Sequence, residues 1–187
     1  MKKISLLLFV SIIVFTACKK EDNSPIAAAS DNPSVSLDVS YSVTVTQNIP
    51  YAEGLSHSSL NSSEATAMPL LLDAYVPDND SENRPVLMLV HGGGFSGGTK
   101  EQEGIVNLAN YFAARGFVVF SIDYRLLGDI GTVPQPWVDY GSYIPADKVN
   151  QYYAMYPVHR DAKAALRWIV ANANTYNINT DFITVGG

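Results

Sequence analysis

The chain has few of the residues that crosslink a protein or bind a metal, with one cysteine and three histidines among 187 residues. A single cysteine excludes a disulfide within the chain. His57 lies in a serine-rich stretch, with no second ligand at the spacing that a metal site requires. We therefore predict no structural disulfide, no metal and no cofactor.

The chain also has no apolar run long enough to span a bilayer, which takes about 20 residues. The longest, residues 4–15, follows Lys2 and Lys3 and ends shortly before Cys18. This arrangement is typical of a signal peptide. Residues 1–17 resemble the signal peptide of a bacterial lipoprotein, which implies that Cys18 carries lipid after cleavage. A plain secretory signal with an incidental cysteine, or an uncleaved anchor, is the alternative.

Basic residues are scarce, since 12 Lys and Arg stand against 18 Asp and Glu, a net charge of −6. Loss of residues 1–17 would also remove Lys2 and Lys3, which leaves a net charge of −8. Such a charge argues against nucleic acid as a partner and against electrostatic attraction to anionic lipid. The predicted link to the membrane is the lipid on Cys18. The predicted location is the cell envelope, as an outer-membrane lipoprotein on the periplasmic face or the cell surface.

The rest of the chain divides into a tether and one domain. Residues 18–34 hold almost no large apolar side chains, which predicts a flexible tether. Residues 35–187 can bury one core of ordinary size. Their apolar patterns predict the order β-β-β-α-β-α-β, which indicates an α/β sheet. The predicted strands are 35–46, 70–76, 86–90, 117–122 and the segment ending at Gly187, with a loop at 56–67 and helices at 99–116 and 158–174.

Residues 127–156 lie between the strand predicted at 117–122 and the helix predicted at 158–174. This segment is too long for a simple connector. The segment combines prolines, glycines and aspartates with six aromatic residues. They are Trp137, Tyr140, Tyr143, Tyr152, Tyr153 and Tyr156. The segment either walls a ligand pocket at the carboxyl side of the sheet or packs on its own aromatic residues. The sequence leaves both possibilities open.

Residues 91–95 have the sequence His-Gly-Gly-Gly-Phe and follow the strand predicted at 86–90. A loop without Cβ atoms can turn its backbone N–H groups toward an oxygen of a ligand. In acyl transfer, such fixed donors stabilise the charge that develops on the substrate oxygen, and loss of one donor costs about 3 kcal/mol. Lipases and esterases use the sequence HGGG after a strand in this way.

Five motifs together resemble the α/β-hydrolase esterases related to hormone-sensitive lipase and to bacterial feruloyl and acetyl xylan esterases. They are Leu72–Pro77, Val90–Phe95, Asp123–Leu126, Asp161–Trp168 and Ile183–Gly187, in the order and spacing of that family. The resemblance implies the amino-terminal half of an α/β-hydrolase sheet, mostly parallel and truncated before the nucleophile elbow GxSxG. Gly187 would be the first elbow glycine. The catalytic serine would then lie two residues beyond the chain, with the acid and the histidine later still.

The resemblance also implies roles at the glycines. The backbone N–H groups of Gly93 and Gly94 would form the oxyanion hole, and His91 would support the loop through hydrogen bonds. Arg125 and Asp161 would pair beneath the site. The implied function is a serine carboxylic-ester hydrolase that acts on a small ester or an acylated carbohydrate, with the 187-residue chain inactive alone. The alternative is a non-catalytic binding lipoprotein of the envelope with a truncated hydrolase fold.

A dinucleotide-binding site is a second interpretation of the glycines. Gly92, Gly94 and Gly97 satisfy GxGxxG, and Asp123 ends the next predicted strand. That motif needs a helix that opens within the glycines and meets the pyrophosphate. Here the predicted helix begins only at Thr99, after the last glycine, so we expect no dinucleotide site.

An internal nucleophile is a third interpretation. Residues 94–98 satisfy GxSxG, which would make Ser96 a nucleophile with Asp123 and His159 as its partners. An elbow serine requires that the turn pass directly into a helix. The predicted helix begins at Thr99, three residues after Ser96. We expect Ser96 to take no part in catalysis.

Overall fold

A computed structural model describes residues 32–187 of the chain. The predicted signal peptide, Cys18 and most of the predicted tether lie outside the described residues. Residues 32–187 form one structural unit. None of the helices in this part has the length and apolar content needed to cross a membrane.

Five strands form one sheet in the order β1-β2-β4-β3-β5. They are β1 (Val43–His57), β2 (Ala65–Pro77), β3 (Arg84–Val90), β4 (Val118–Ile122) and β5 (Ile178–Gly186). β2 pairs antiparallel with β1 and β4, and β3 pairs in parallel with β4 and β5. The predicted α/β class is confirmed, but the sheet is mixed and not mostly parallel. The difference arises because β1 and β2 form a hairpin, which makes them antiparallel, and β2 then runs against β4.

Helices carry the chain between the parallel strands. α1 (Glu103–Ala113) connects β3 to β4, and α3 (Val149–Ala171) lies between β4 and β5. Before α3 come a 3₁₀ turn, Leu127–Asp129, and the short helix α2 (Gln135–Gly141), and after it comes α4 (Ala173–Tyr176). The helix predicted at 158–174 therefore begins too late. A proline favours a helix boundary, but Pro157 lies buried inside α3 and packs against Gly131.

The strand predicted at 35–46 is wrong for most of its length. Residues 35–42 lie outside the sheet, with Leu37 93% exposed. The backbone N–H of Ser36 donates to the carbonyl oxygen of Arg115, just after α1, at 2.9 Å. Carbonyl groups at the end of a helix have no partner within the helix. Residues 35–42 supply hydrogen-bond partners for these carbonyl groups, so their alternating sequence does not form a strand.

The loop predicted at 56–67 is shorter in the structure, because β1 and β2 extend into its two ends. β1 continues to His57 and β2 begins at Ala65, which leaves residues 58–64 as the turn. At its tip, the side chain of Asn61 accepts a hydrogen bond from the backbone N of Val133 at 2.9 Å. The turn is therefore fixed to the segment that leads into α2.

Both faces of β3 and β4 are buried, as their nearly continuous apolar sequences predict. The α3 side of the core includes Leu72, Val86, Met88, Phe120, Ile122, Ala165 and Ile169. The α1 side includes Tyr75, Leu87, Leu89, Ile105, Ala109 and Val119. Packing on both faces holds the carboxyl ends of β3 and β4 in fixed positions, and the candidate site lies there.

Phe120 tests the α3 side of this core. It is fully buried, and its ring lies edge-on to Tyr176 and Trp168 at 5.0 and 6.1 Å between centroids. We expect Phe120→Ala to lower the free energy of unfolding by about 3–5 kcal/mol, because it leaves a cavity. Phe182→Ala removes the same ring from a position that is 39% exposed and should cost less, about 1–2 kcal/mol. Urea denaturation compares the two variants, and equal losses would contradict this account of the core.

Candidate functional site

The glycine loop, residues 91–98, leaves the carboxyl end of β3 in a conformation that requires glycine. Gly93 and Gly98 have φ values of 132° and 102°. A Cβ on Gly93 would overlap the carbonyl oxygen of Gly97, and one on Gly98 would overlap that of Gly92. The loop is therefore folded back on itself so closely that a side chain at either position would force it to move.

Gly93 and Gly94 are the two residues of the glycine loop expected to form the oxyanion hole. Both residues are exposed, and no hydrogen bond among the described residues uses either amide as a donor. Gly94 and Phe95 have φ values of 61° and 65°, in a region that a residue with a side chain rarely adopts. The backbone N of Leu127 donates to the Phe95 carbonyl at 2.7 Å and helps to hold this conformation. Such strain persists only where the surroundings hold it, and it is concentrated at functional sites.

His91 is buried beneath the loop and is held by Tyr124. The two rings stack with their centroids 4.3 Å apart and their planes at 12°, and the Tyr124 hydroxyl donates to the His91 carbonyl at 2.7 Å. His91 Nδ1 lies 3.0 Å from the carbonyl oxygen of Gly92, and it carries a hydrogen because a carbonyl can only accept. Burial and the charge of Asp123 raise the pKa of Tyr124, which keeps its hydroxyl a donor. These contacts fit the supporting role expected of His91, which stays a prediction.

Asp123 follows β4 and links the end of that strand to the residues after the loop. Its Oδ1 accepts from the backbone N of Lys100 at 2.7 Å, and its carbonyl oxygen accepts from the Tyr51 hydroxyl at 2.7 Å. Burial, followed by the charges of Asp161 and Asp123, raises the pKa of Tyr51, so its hydroxyl stays protonated. A cavity of about 240 Å³ beside Asp123 is lined by His91 and by residues of β2.

The predicted pairing of Arg125 with Asp161 is confirmed, and the pair is buried. Arg125 Nε and Nη2 donate to Asp161 Oδ2 and Oδ1 at 2.9 and 2.6 Å, and the Arg125 backbone N donates to Oδ2 at 3.0 Å. Arg125 Nη1 donates to the carbonyl oxygen of Leu55 at 3.1 Å. A bidentate pair fixes orientation as well as distance. It therefore holds the end of β4 against α3 and β1.

The described residues do not assemble Ser96, Asp123 and His159 into a triad. Ser96 Oγ donates to the carbonyl oxygen of Gly93 at 3.1 Å. His159 Nδ1 lies 2.7 Å from the carbonyl oxygen of Met155, one turn earlier in α3. No hydrogen bond within residues 32–187 joins any two of the three side chains.

The late start of α1, at Glu103, bears on both alternative interpretations of the glycines. An elbow at Ser96 needs a helix directly after the turn, and a dinucleotide site at Gly92, Gly94 and Gly97 needs one that opens within the glycines. The geometry supports neither. The described part of the chain also has no group of three His, Cys, Asp or Glu side chains that could hold a metal.

The aromatic residues between β4 and the middle of α3 form a cluster beside the loop. Trp137 stacks on Tyr152 with centroids 4.8 Å apart and planes at 5°, and Tyr140 is 57% exposed. Gln151, on α3, donates from Nε2 to the carbonyl oxygen of Gly94 at 3.0 Å. The segment thus packs on its own aromatic rings and also borders the glycine loop. Its role as a pocket wall stays a prediction.

Comparison with known proteins relates the chain to esterases. Residues 72–142 match the BD-FAE family model. The chain is 30% identical to Gut esterase 1 of Caenorhabditis briggsae and 28% identical to the para-nitrobenzyl esterase of Bacillus subtilis. Each match covers 63% of this chain, and the matched parts are 18% and 22% of the two relatives. The chain therefore spans about a fifth of the length of the curated relatives it matches.

Solved structures also match the described fold in part. An esterase of Thermogutta terrifontis, Est2, matches with a TM-score of 0.46 at 22% identity, over 63% of this chain and 35% of that one. A bifunctional GH43-CE protein of Bacteroides eggerthii matches with a TM-score of 0.47 at 24% identity, over 75% and 15%.

The family-model and sequence matches confirm the resemblance to the α/β-hydrolase esterases that the motifs indicated. Two residues at the site were not assigned a role from the sequence, namely Tyr124, which holds His91, and Lys100, which contacts Asp123. Tyr124 carried a usable signal, because it closely follows a buried strand. Lys100 carried none, because lysine is almost always exposed unless it is paired.

Gly98 and Gly97 form a matched pair for testing the loop. An added Cβ at Gly98 would overlap Gly92 and His91, whereas one at Gly97 would meet nothing within 4 Å. We expect Gly98→Ala to lower the free energy of unfolding by about 1–3 kcal/mol, because it forces a side chain into a positive φ and a clash. Gly97→Ala should change it by about 0.5 kcal/mol or less. Thermal denaturation decides, and equal effects would contradict the loop geometry.

Proposed function

We propose that this chain forms part of a serine carboxylic-ester hydrolase, with the glycine loop as its oxyanion hole. The observation that carries the proposal is that Gly93 and Gly94 are exposed and that their N–H groups donate no hydrogen bond within residues 32–187, in a loop whose conformation requires glycine. Fixed N–H donors are what an acyl-transfer transition state needs. The matches to esterases support esters as the substrate class.

The position of β5 supports a nucleophile that follows Gly187. β5 runs parallel to β3, with Gly186 opposite Leu89. An added Cβ on Gly187 would overlap the carbonyl oxygen of Val90, so the two residues are in close contact. The chain therefore leaves β5 beside the residue that precedes the glycine loop. A serine two residues further on would lie close to the loop amides, as the resemblance implies.

In the proposed reaction, the serine Oγ forms a bond to the ester carbonyl carbon while a histidine takes its proton. The resulting oxyanion accepts hydrogen bonds from the N–H groups of Gly93 and Gly94. The bond to the alcohol then breaks, and the alcohol leaves with that proton. Water hydrolyses the acyl-enzyme and releases the acid. The proposed substrate is a small ester or an acylated carbohydrate, and His91 supports the loop without transferring a proton.

Hydrolysis of short-chain p-nitrophenyl esters tests the function. We expect the full-length gene product that contains this chain to hydrolyse them, and residues 1–187 alone to be inactive, because the proposed triad is not among them. Ser96→Ala in the full-length product should lower the rate about tenfold at most, because Ser96 Oγ bonds only the Gly93 carbonyl oxygen, whereas loss of a nucleophile would abolish activity. A folded full-length product without activity would favour the non-catalytic binding role. Hydrolysis by residues 1–187 that Ser96→Ala abolishes would contradict the proposed nucleophile.

We propose further that Cys18 carries the lipid that holds the protein in the cell envelope. The proposal rests on the sequence of residues 1–17. A cysteine that carries more than one acyl chain anchors a protein stably. We therefore expect the mature protein in the membrane fraction, with a mass that includes the lipid on Cys18. Cys18→Ser should move it out of that fraction, and Ser24→Ala should not. A membrane-bound Cys18→Ser protein would contradict the lipid anchor.

A further inference from the structure

Lys100 is buried at the point where the chain leaves the glycine loop. It is 2% exposed, although lysine is rarely buried without a partner. Its Nζ lies 3.0 Å from Asp73 Oδ1 and 2.7 Å from Glu101 Oε1. Its backbone N donates to Asp123 Oδ1 at 2.7 Å. One residue thus reaches both β2, through Asp73, and the end of β4, through Asp123.

Asp73 depends on Lys100 for its charge balance. It is fully buried, and its Oδ1 also accepts from the backbone N of Asn48, at an irregularity in β1. Its Oδ2 has no hydrogen-bond partner within residues 32–187. A buried carboxylate with half of its acceptor capacity unused is costly unless a cation lies next to it. Lys100 is that cation.

The surroundings also keep Lys100 charged. Burial by itself would lower the pKa of its ammonium group. The hydrogen bonds to Glu101 and Asp73, with the charges of Asp73 and Asp123, more than offset burial, and the pKa is raised. Lys100 therefore carries its positive charge at neutral pH.

Both ends of the glycine loop are consequently fixed, the first through His91 and Tyr124 and the last through Lys100. A loop with several residues at positive φ keeps its conformation only if such contacts hold it. We propose that Lys100 is a positioning residue, which anchors the exit of the loop to Asp73 and Asp123 and so sets the direction of the Gly93 and Gly94 N–H groups. The claim that Lys100 fixes the loop conformation does not depend on the proposed esterase function. The effect of Lys100 on catalysis rests on that function.

Amide hydrogen exchange of the full-length gene product tests the conformational part. The loop amides that can report on this are the hydrogen-bonded ones, Ser96, which donates to the Gly93 carbonyl, and Leu127, which donates to the Phe95 carbonyl. In Lys100→Met we expect these two amides to exchange about tenfold faster or more, while those of β3 and β4 change less than about twofold. Lys163→Met, at an exposed lysine on α3, is the matched control and should change neither set. Loop amides that exchange as in the wild type would overturn the proposal, as would an equal rise throughout the core, which indicates general destabilisation.

A second variant covers the case in which Lys100→Met fails to fold because Asp73 is left charged and unpaired. Asp73→Asn combined with Lys100→Met removes both charges. We expect this protein to fold and its loop amides still to exchange about tenfold faster than in the wild type. A folded double variant with a wild-type loop would overturn the positioning role.

Ester hydrolysis supplies a separate readout. A loop that points its N–H groups less accurately loses transition-state stabilisation more than substrate binding. We expect kcat of Lys100→Met to fall about tenfold or more, with KM changed less than about twofold. A rise in KM alone would count against positioning. If the wild-type protein hydrolyses no ester, the proposed function fails, and the exchange data still decide the role of Lys100.

Discussion

The parallel pairing of β4, β3 and β5 is the constraint on which the candidate site depends. Parallel strands end at the same edge of a sheet, so the glycine loop after β3, Asp123 after β4 and Gly187 after β5 become neighbours. α1 and α3 cover opposite faces of these strands, and burial on both faces holds their ends in place. A site at this edge of the sheet is supported by buried strands, although the candidate site residues themselves lie on loops.

Side-chain contacts then fix these loops to the sheet. Tyr124 holds His91, Lys100 holds the residues after the glycines, and Arg125 with Asp161 ties the end of β4 to α3. Each of these contacts uses a buried polar or charged group that would be unfavourable alone. Together they stabilise a backbone conformation that glycine permits but does not impose. Local strain in the loop is thus balanced by contacts elsewhere.

Prediction from sequence succeeded where a pattern had one physical solution. Continuous apolar runs at β3 and β4 favour burial on both faces, and three glycines after a strand permit a close turn. Prediction from sequence failed where a pattern fits more than one local structure and tertiary contacts determine which one forms. The alternation in residues 35–42 suits a strand, but the end of α1 takes up the backbone of Ser36. Pro157 suits a helix boundary, but its packing against Gly131 keeps it inside α3.

The amino-acid sequence by itself determined the α/β class, the position of the glycine loop and the resemblance to esterases, and it predicts a lipid anchor. These rest on local composition and spacing, which need no knowledge of distant contacts. Only the tertiary structure decided that β2 pairs antiparallel with both of its neighbours, that Ser96 and His159 share no hydrogen bond, and that Lys100 is buried against Asp73. Pairing between residues distant in the chain depends on how the elements pack, and a single sequence does not record it.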